Sequence, residues 1–212
     1  MPKVVDPAER RNAIAAAAIE TIARGGLDKA TLANVAAQAG LAVGSVRHYF
    51  EGQASMIEFA MRWLADRIGA RVLAIAGPVL AGEVGTMAER RRATVDLLCE
   101  LLPLDETRRR EVTAWLALSA AAVYRPGLRP IVDDMHESVR GLTRVIVERS
   151  RAAGLSDGDD ADLDADVERL AALIDGLAVD AILRPDRYSP QRMRSVVERQ
   201  LDRLGSPGAD RT

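Results

Sequence analysis

Residues 31–50 read TLANVAAQAGLAVGSVRHYF, and this stretch decides the fold. A helix-turn-helix needs a small residue where two short helices cross, a glycine able to adopt a positive φ in the turn, and an apolar residue that anchors the second helix. Ala36, Gly40 and Val46 meet these needs, and they are spaced four and then six residues apart. The pattern therefore predicts two short helices joined by a turn at Gly40.

The side chains around this turn divide into a core and an outer face. Four further apolar residues are expected to complete the core: Leu32, Val35, Leu41 and Phe50. The outer face of the second helix can contact the methyl groups, base edges and phosphates of DNA, and it consists of Val43, Ser45, Arg47, His48 and Tyr49. The alternative is a three-helix bundle that shows this spacing by chance and serves only for packing or protein binding.

The rest of the chain also reads as helical. Apolar residues recur at the helical period, no stretch alternates as a strand would, and Gly and Pro fall between the periodic segments. The predicted fold class is all-α, with helices at about residues 6–23, 31–39, 43–49, 53–77, 86–102, 105–124, 129–153, 163–183 and 190–204. The fourth helix is expected to break near Gly77-Pro78, because Gly and Pro often mark the ends of helices.

Composition narrows the function further. The chain has 212 residues, of which 48% are hydrophobic and 28% charged, as in globular proteins. Its 31 acidic and 29 basic residues give a net charge of -2, so DNA binding would need a local basic surface. The N-terminus lacks the apolar stretch of a signal peptide, and no apolar run reaches the roughly 20 residues of a membrane span. We expect a cytoplasmic, nucleoid-associated protein without membrane contact.

Catalytic and metal-binding chemistry is poorly supported. The chain holds two histidines and one cysteine, Cys99, too few for a zinc site and unable to form an internal disulfide. Residues 157–168 fit a calcium loop at three ligand positions but lack the required glycine, so a solvated loop is expected. There is no phosphate-binding glycine loop, nucleophile elbow or paired-cysteine motif. We therefore predict neither an enzyme nor a metal or cofactor.

The order of elements resembles the TetR family of bacterial transcriptional regulators. The resemblance is strongest over residues 8–65, where the matching positions are Thr31, Leu32, Val35, Ala36, Gly40, Gly44, Ser45, His48, Tyr49 and Phe50. Further along, IDGLAVDAILRPDRYSP at 174–190, followed by an arginine-rich last helix, resembles the C-terminal domain of the choline-responsive, BetI-like subgroup.

The resemblance implies a helix-turn-helix DNA-binding domain at 1–50 and a regulatory ligand-binding and dimerisation domain at 51–205. The last residues, 206–212, read SPGADRT, which predicts a flexible tail. It implies that four side chains face the bases: Val43, Ser45, Arg47 and His48. Thr31 and Tyr49 would contact phosphate. Gln53, at the start of the fourth helix, departs from the lysine that the family usually has there.

The same resemblance places a small-molecule pocket among the later helices. Candidate ligand-binding residues are Met87, Trp115, Ser119, Tyr124, Met135 and His136, each of which is otherwise ordinary core. Binding of a quaternary ammonium such as choline usually needs several aromatic faces, and only Trp115 and Tyr124 are available. A largely apolar effector fits the composition better.

A homodimer is expected from the helix at 163–183. Its apolar residues cover more than the single stripe that a surface helix needs, so the excess face calls for a partner. Together with the last helix it could form a four-helix interface between two copies, using Leu170, Ile174, Leu177, Ala181, Val197 and Leu201. The alternative is that the regulatory domain covers both faces by itself. The combined prediction is a ligand-responsive regulator, more specifically a repressor, that binds a palindromic operator as a dimer.

Overall fold

The computed structural model describes residues 6–81, 83, 85–152 and 160–204, and these contain nine α-helices, three short 3₁₀ turns and no strand. The helices are α1 (Pro7–Gly25), α2 (Leu32–Gln38), α3 (Val43–Tyr49), α4 (Gln53–Leu80), α5 (Met87–Cys99), α6 (Glu106–Ala122), α7 (Arg129–Ala152), α8 (Asp160–Leu183) and α9 (Pro190–Leu204). The 3₁₀ turns are Leu27–Lys29, Pro126–Leu128 and Pro185–Arg187. The all-α prediction is confirmed, with each helix end within three residues of its expected place. The predicted tail at 206–212 and the first part of the acidic segment, 157–159, lie outside the described residues.

Side-chain caps account for several helix starts. The Asp6 carboxylate accepts a hydrogen bond from the Ala8 amide at 2.9 Å at the start of α1. At α5, Thr86 and Glu89 form a reciprocal capping box, in which each side chain accepts from the other's backbone N–H. The Glu89 carboxylate accepts from both the backbone N–H and the hydroxyl of Thr86, and these two bonds, the backbone one first, lower the pKa of this carboxyl. Caps of this kind fix where a helix begins because its first amides have no partner within the helix.

The fourth helix ends close to the predicted break near Gly77-Pro78, but Pro78 lies inside its last turn and α4 continues to Leu80. Proline removes only the hydrogen bond that its own nitrogen would donate to the preceding turn. The last turn is still closed, since the Ala81 amide donates to the Gly77 carbonyl at 2.9 Å and the Glu83 amide to the Pro78 carbonyl at 3.0 Å. A proline this close to a helix end costs one bond and leaves the helix intact.

The described residues fall into two compact units. The first holds those within Met1–Ala70 and Arg109–Asp133, and the second those within Arg71–Arg108 and Asp134–Thr212. In the first unit α1 packs on α2 and α2 on α3, and Ile14, Ala18 and Ile22 of α1 are fully buried. This core fixes the position of the helix-turn-helix.

The second unit packs α9 against both α5 and α8. Glu100 accepts from Arg71 at 2.8 Å and from Arg108 at 2.9 Å, so one carboxylate joins the second part of α4 to the segment after α5. Burial raises the pKa of the neighbouring Cys99 thiol to about 11, so this sulfur stays neutral as a small core side chain.

None of the helices in the described ranges is long and apolar enough to cross a membrane.

Candidate nucleic-acid interface and ligand cavity

The turn between α2 and α3 is built around Gly40. Its φ of 66° lies in the left-handed region that side chains rarely adopt. The Leu41 amide donates to the Ala36 carbonyl at 2.8 Å, and the Gly40 amide donates to the Ala37 carbonyl at 3.2 Å. This pair of bonds is the Schellman arrangement that ends a helix and redirects the chain. A substitution at Gly40 would strain the turn and misdirect α3.

The anchors beneath the turn are buried as expected. Val35, Ala36 and Val46 are fully buried and Phe50 nearly so, whereas Leu32 and Leu41 are half-buried. The Arg11 guanidinium carbon lies 4.4 Å from the ring centroid of Phe59 and 5.5 Å from that of Phe50. This cation–π contact ties α1 to the end of α3 and the start of α4.

The outer face of α3 remains accessible. Val43, Ser45, Arg47 and His48 are exposed, and Tyr49 is half-buried with its ring edge-to-face against His48 at 5.1 Å. Arg47 forms no hydrogen bond or ion pair within the part of the chain that the structure describes. The guanidinium is therefore available for the two parallel hydrogen bonds that arginine donates to guanine.

Thr31 and Gln53 lie at the starts of two neighbouring helices. The Thr31 Oγ1 accepts from the Asn34 amide at 3.2 Å as the cap of α2, and its hydroxyl proton stays free to donate to a phosphate. Gln53 is the first residue of α4 and is half-buried. The Ser55 hydroxyl accepts from the Gly52 amide at 3.3 Å and so holds this helix start in place.

Lys29 was not singled out from the sequence. It is exposed in the 3₁₀ turn before Thr31, and its carbonyl accepts from the Asn34 side chain at 2.8 Å. This bond ties the lysine to the beginning of α2, in the same unit as the outer face of α3. A signal for it exists, because it is one of only two lysines in the chain and precedes the α2 cap by two residues.

A cavity of about 760 Å³ lies within the second unit. Its walls come from the second part of α4, from α5 along most of its length, and from the C-terminal parts of α7 and α9. Its volume falls in the roughly 300–1,000 Å³ range of small-molecule sites. Of the six candidate ligand residues, Met87 lines this cavity and the other five do not.

Those five residues are divided between the units. Trp115, Ser119 and Tyr124 belong to the first unit, where Tyr124 is exposed and the buried Ser119 Oγ has no hydrogen-bond partner among the described residues. Met135 and His136 belong to the second, and the His136 Nδ1 lies 3.8 Å from the Asp175 carboxylate. Burial raises the pKa of that carboxyl, and the charge of His136 opposes the rise.

The residues chosen for the dimer interface pack inside their own chain. Leu201 is half-buried, and the other five are buried: Leu170, Ile174, Leu177, Ala181 and Val197. A role for them in joining two chains stays a prediction. The face of α8 that remains exposed or half-exposed carries a different apolar stripe, with Ala172, Gly176, Val179 and Leu183.

Two family models match most of the chain. Residues 14–60 match the bacterial regulatory proteins of the tetR family, and residues 89–206 match the C-terminal domain of BetI-type transcriptional repressors. Among individual relatives, the helix-turn-helix transcriptional regulator PksA of Bacillus subtilis is 31% identical, covering 96% of this chain and 94% of its own.

Solved structures share the fold. A transcriptional regulator from Rhodococcus sp. Rha1 has 29% sequence identity and a TM-score of 0.73, covering 92% of this chain and 95% of its own. A transcriptional regulator from Saccharomonospora viridis, solved in complex with choline, has 23% identity and a TM-score of 0.75, covering 91% and 95%. At 23% identity, the similarity to the Saccharomonospora viridis structure shows only that the fold is shared.

Proposed function

Since the chain belongs to the TetR family of bacterial transcriptional regulators, we propose that it is a repressor that binds a palindromic operator as a homodimer and is released by a small-molecule effector. The observation that carries the proposal is the outer face of α3, where Arg47 and its exposed neighbours stand over the fully buried anchor Val46. Base edges in the major groove are read by such a face, while phosphate contacts set its position. The family's members are regulators of transcription, which sets aside an enzymatic role.

In this proposal residues 1–50 bind DNA and residues 51–205 regulate. Val43, Ser45, Arg47 and His48 read bases, and Thr31, Tyr49 and Gln53 lie along the phosphate backbone. Lys29 adds a positive charge on the same unit. Because the net charge of the whole chain is -2, this local group must supply the attraction to DNA.

Helices α8 and α9 are our proposed dimer interface. Gly176 supports it, because a side chain placed there would meet no atom of its own chain within 4 Å. Glycine inside an exposed helix costs about 1 kcal/mol relative to alanine, and packing within the chain does not require it here. A close approach by a partner helix along Ala172, Gly176, Val179 and Leu183 would explain the residue. Leu170, Ile174, Leu177, Ala181, Val197 and Leu201 would then support that face from within.

The effector, in the same proposal, occupies the cavity of the second unit. Met87 lies among its lining residues, and its walls are mostly aliphatic, which suits a largely apolar molecule. Five other residues, which do not line this cavity, remain predicted effector contacts: Trp115, Ser119, Tyr124, Met135 and His136.

Selection of bound sequences from random DNA duplexes tests the proposal. A two-fold dimer presents two copies of α3 to successive major grooves, so we expect an inverted repeat with half-sites about one helical turn apart or a little more. Enrichment of single half-sites bound by one chain would contradict the dimeric mechanism. No enrichment at all would favour the alternative of a protein-binding helical module.

A further inference from the structure

The charged residues of the cavity are unevenly distributed. Among the residues that the structure describes, its lining includes the basic residues Arg90, Arg91 and Arg149 and one carboxylate, that of Asp202. The Arg91 guanidinium donates to that carboxylate from Nη2 at 2.6 Å and from Nε at 3.0 Å. The Asp202 carboxylate is therefore paired within the chain, and the lining residues that the structure describes carry more positive than negative charge.

Arg149 is the basic residue best placed to meet a ligand. It is exposed, and it forms no hydrogen bond or ion pair within residues 6–81, 83, 85–152 and 160–204. The nearby hydroxyls donate elsewhere, Ser150 to the Ile146 carbonyl at 2.9 Å and Thr94 to the Arg90 carbonyl at 3.0 Å. The charged donors of the lining are thus its arginines, and a guanidinium suits a planar anion such as a carboxylate.

The remaining walls are aliphatic. They include residues of α4, α5, α7 and α9, among them Val72, Leu73, Ile75, Ala76, Val79, Leu97, Leu142, Val145, Ile146 and Leu201. Leu73 is 65% exposed and Val145 44% exposed, so large apolar side chains face this space without cover from their own chain. Aliphatic surface of this extent favours a flexible hydrocarbon chain.

We propose that the cavity binds an aliphatic carboxylate, with its hydrocarbon chain against the aliphatic walls and its carboxylate on Arg149. The inference rests on the proposed function, in which this cavity is the effector site. A quaternary ammonium does not fit, because the described lining residues include no aromatic side chain and their one carboxylate is already paired. Charge and apolar character together thus select an anion with a long apolar tail.

Calorimetric titration of the full-length protein without DNA tests this ligand class. The probes are octanoate, 1-octanol and octyltrimethylammonium, which share a chain of eight carbons and differ in the charge of the head group. Octanoate should bind about tenfold more tightly than 1-octanol, and the ammonium compound most weakly. Across hexanoate, octanoate and decanoate, each added methylene should tighten binding roughly fourfold.

Two variants of equal charge separate a specific contact from general electrostatics. Arg149→Gln should weaken octanoate binding about tenfold and change 1-octanol binding less than twofold. Arg92→Gln is the matched control, because Arg92 is exposed on α5 and does not line the cavity. It should leave both affinities unchanged. Ala76→Phe, which fills the cavity from α4, should weaken all binding, with thermal unfolding and operator binding reporting that the variant is folded.

Several results would overturn the inference. Equal affinity for octanoate and 1-octanol would show that the head-group charge does not contribute to binding. Tighter binding of octyltrimethylammonium would show that the cavity prefers a cationic ligand, the opposite of the proposal. An equal effect of Arg149→Gln and Arg92→Gln would remove the specific role of Arg149. Operator binding is measured separately. Its presence without octanoate binding would overturn the ligand class alone, whereas its absence would overturn the proposed function.

Discussion

Arg47 and Val46 are consecutive residues of α3 with opposite environments, one exposed and one fully buried. Arg47→Ala should weaken operator binding by about 1–3 kcal/mol and relax the preference at one base pair in each half-site, because two hydrogen bonds to guanine are lost. Binding to a panel of single-base operator variants measures both effects. Arg62→Ala is the control, since Arg62 lies on α4 and pairs with Glu58 at 2.8 Å.

A uniform loss of affinity across the whole panel would contradict base reading by Arg47. It would instead make this arginine a phosphate contact, because such contacts act almost alike on every sequence. The Arg47 guanidinium has no partner within the described chain. Whether it contacts a base or a phosphate is therefore decided when the protein binds DNA, and not by contacts within the folded chain.

Gln53 provides a second prediction at the residue scale. At the first position of α4 its side chain can donate a hydrogen bond to a phosphate, but it releases no counterion. Gln53→Lys should steepen the slope of log K against log salt by about 0.9 for each phosphate neutralised, roughly two per dimer. Specific and non-specific DNA should both be bound more tightly, with little change in specificity. Filter binding across a salt series measures the slope.

The control for this substitution is Gln191→Lys, which adds the same charge to an exposed position on α9. Its salt slope should match that of the unmodified protein. If Gln53→Lys also leaves the slope unchanged, position 53 does not face the DNA backbone, and our placement of the start of α4 along that backbone would have to be given up.

At the scale of the element, local signals predicted the helices well. Thr86 and Glu89 form their capping box where the sequence has S/T-x-x-E, and Gly40 turns the chain by its positive φ. These features depend on residues three or four apart, so a sequence pattern is enough to find them. The exact helix end beside Pro78 is harder to predict. Whether a proline ends a helix depends on how the following amides are satisfied, and here the turn closes through Gly77.

The faces of α8 could be predicted only in part. Periodicity shows that this helix is apolar on more than one side, but it cannot tell which side its own chain covers. In the structure Leu170 and Ile174 face the interior, whereas Ala172 and Gly176 stay exposed. That choice depends on the packing of α8 against α9, a contact between segments with independent sequence patterns.

A substitution at Gly176 tests the proposed dimer face. Gly176→Arg should convert the dimer to a monomer and abolish binding to the inverted repeat, because a charged side chain would stand in the close helix contact. The helix itself should become more stable by up to about 1 kcal/mol, since arginine is a better helix former than glycine. Sedimentation velocity measures the assembly, and thermal unfolding measures the fold.

Gly141→Arg is the matched variant on α7. Gly141 is also exposed, and a side chain there would likewise meet no atom of the chain within 4 Å. This variant should remain dimeric and bind the operator normally. A dimer that survives Gly176→Arg would exclude the exposed stripe of α8 as the interface.

At the scale of the molecule, the cavity could not be read from the sequence. Its lining joins residues as far apart as Val72 and Asp202, and its charge pattern depends on the pairing of Arg91 with Asp202 across more than a hundred positions. The six ligand candidates are predicted from residue type on helices expected to surround a pocket, and Met87 alone among them lines this one. Side-chain type does not reveal which faces of distant helices converge.

We propose that helix α4 couples the cavity to DNA binding. This helix of 28 residues begins at Gln53 and contributes Val72, Ile75 and Val79 to the wall of the cavity. A ligand that binds one conformation of the dimer better than another shifts the populations of the two conformations. If the ligand changes operator affinity by some factor, operator binding must change the affinity for the ligand by the same factor. We therefore expect octanoate to weaken operator binding, and operator binding to weaken octanoate affinity equally.

The expected coupling is about 1–3 kcal/mol, or roughly 5- to 150-fold in each affinity. Octanoate titrations are done with the free protein, with saturating operator, and with a non-specific duplex of equal length as the control for charge and crowding. Operator titrations with and without octanoate then supply the reverse factor. If octanoate binds with the same affinity in the presence and absence of operator, the cavity does not control DNA binding. The walls contributed by α4 would then serve the binding of a ligand that has no part in repression.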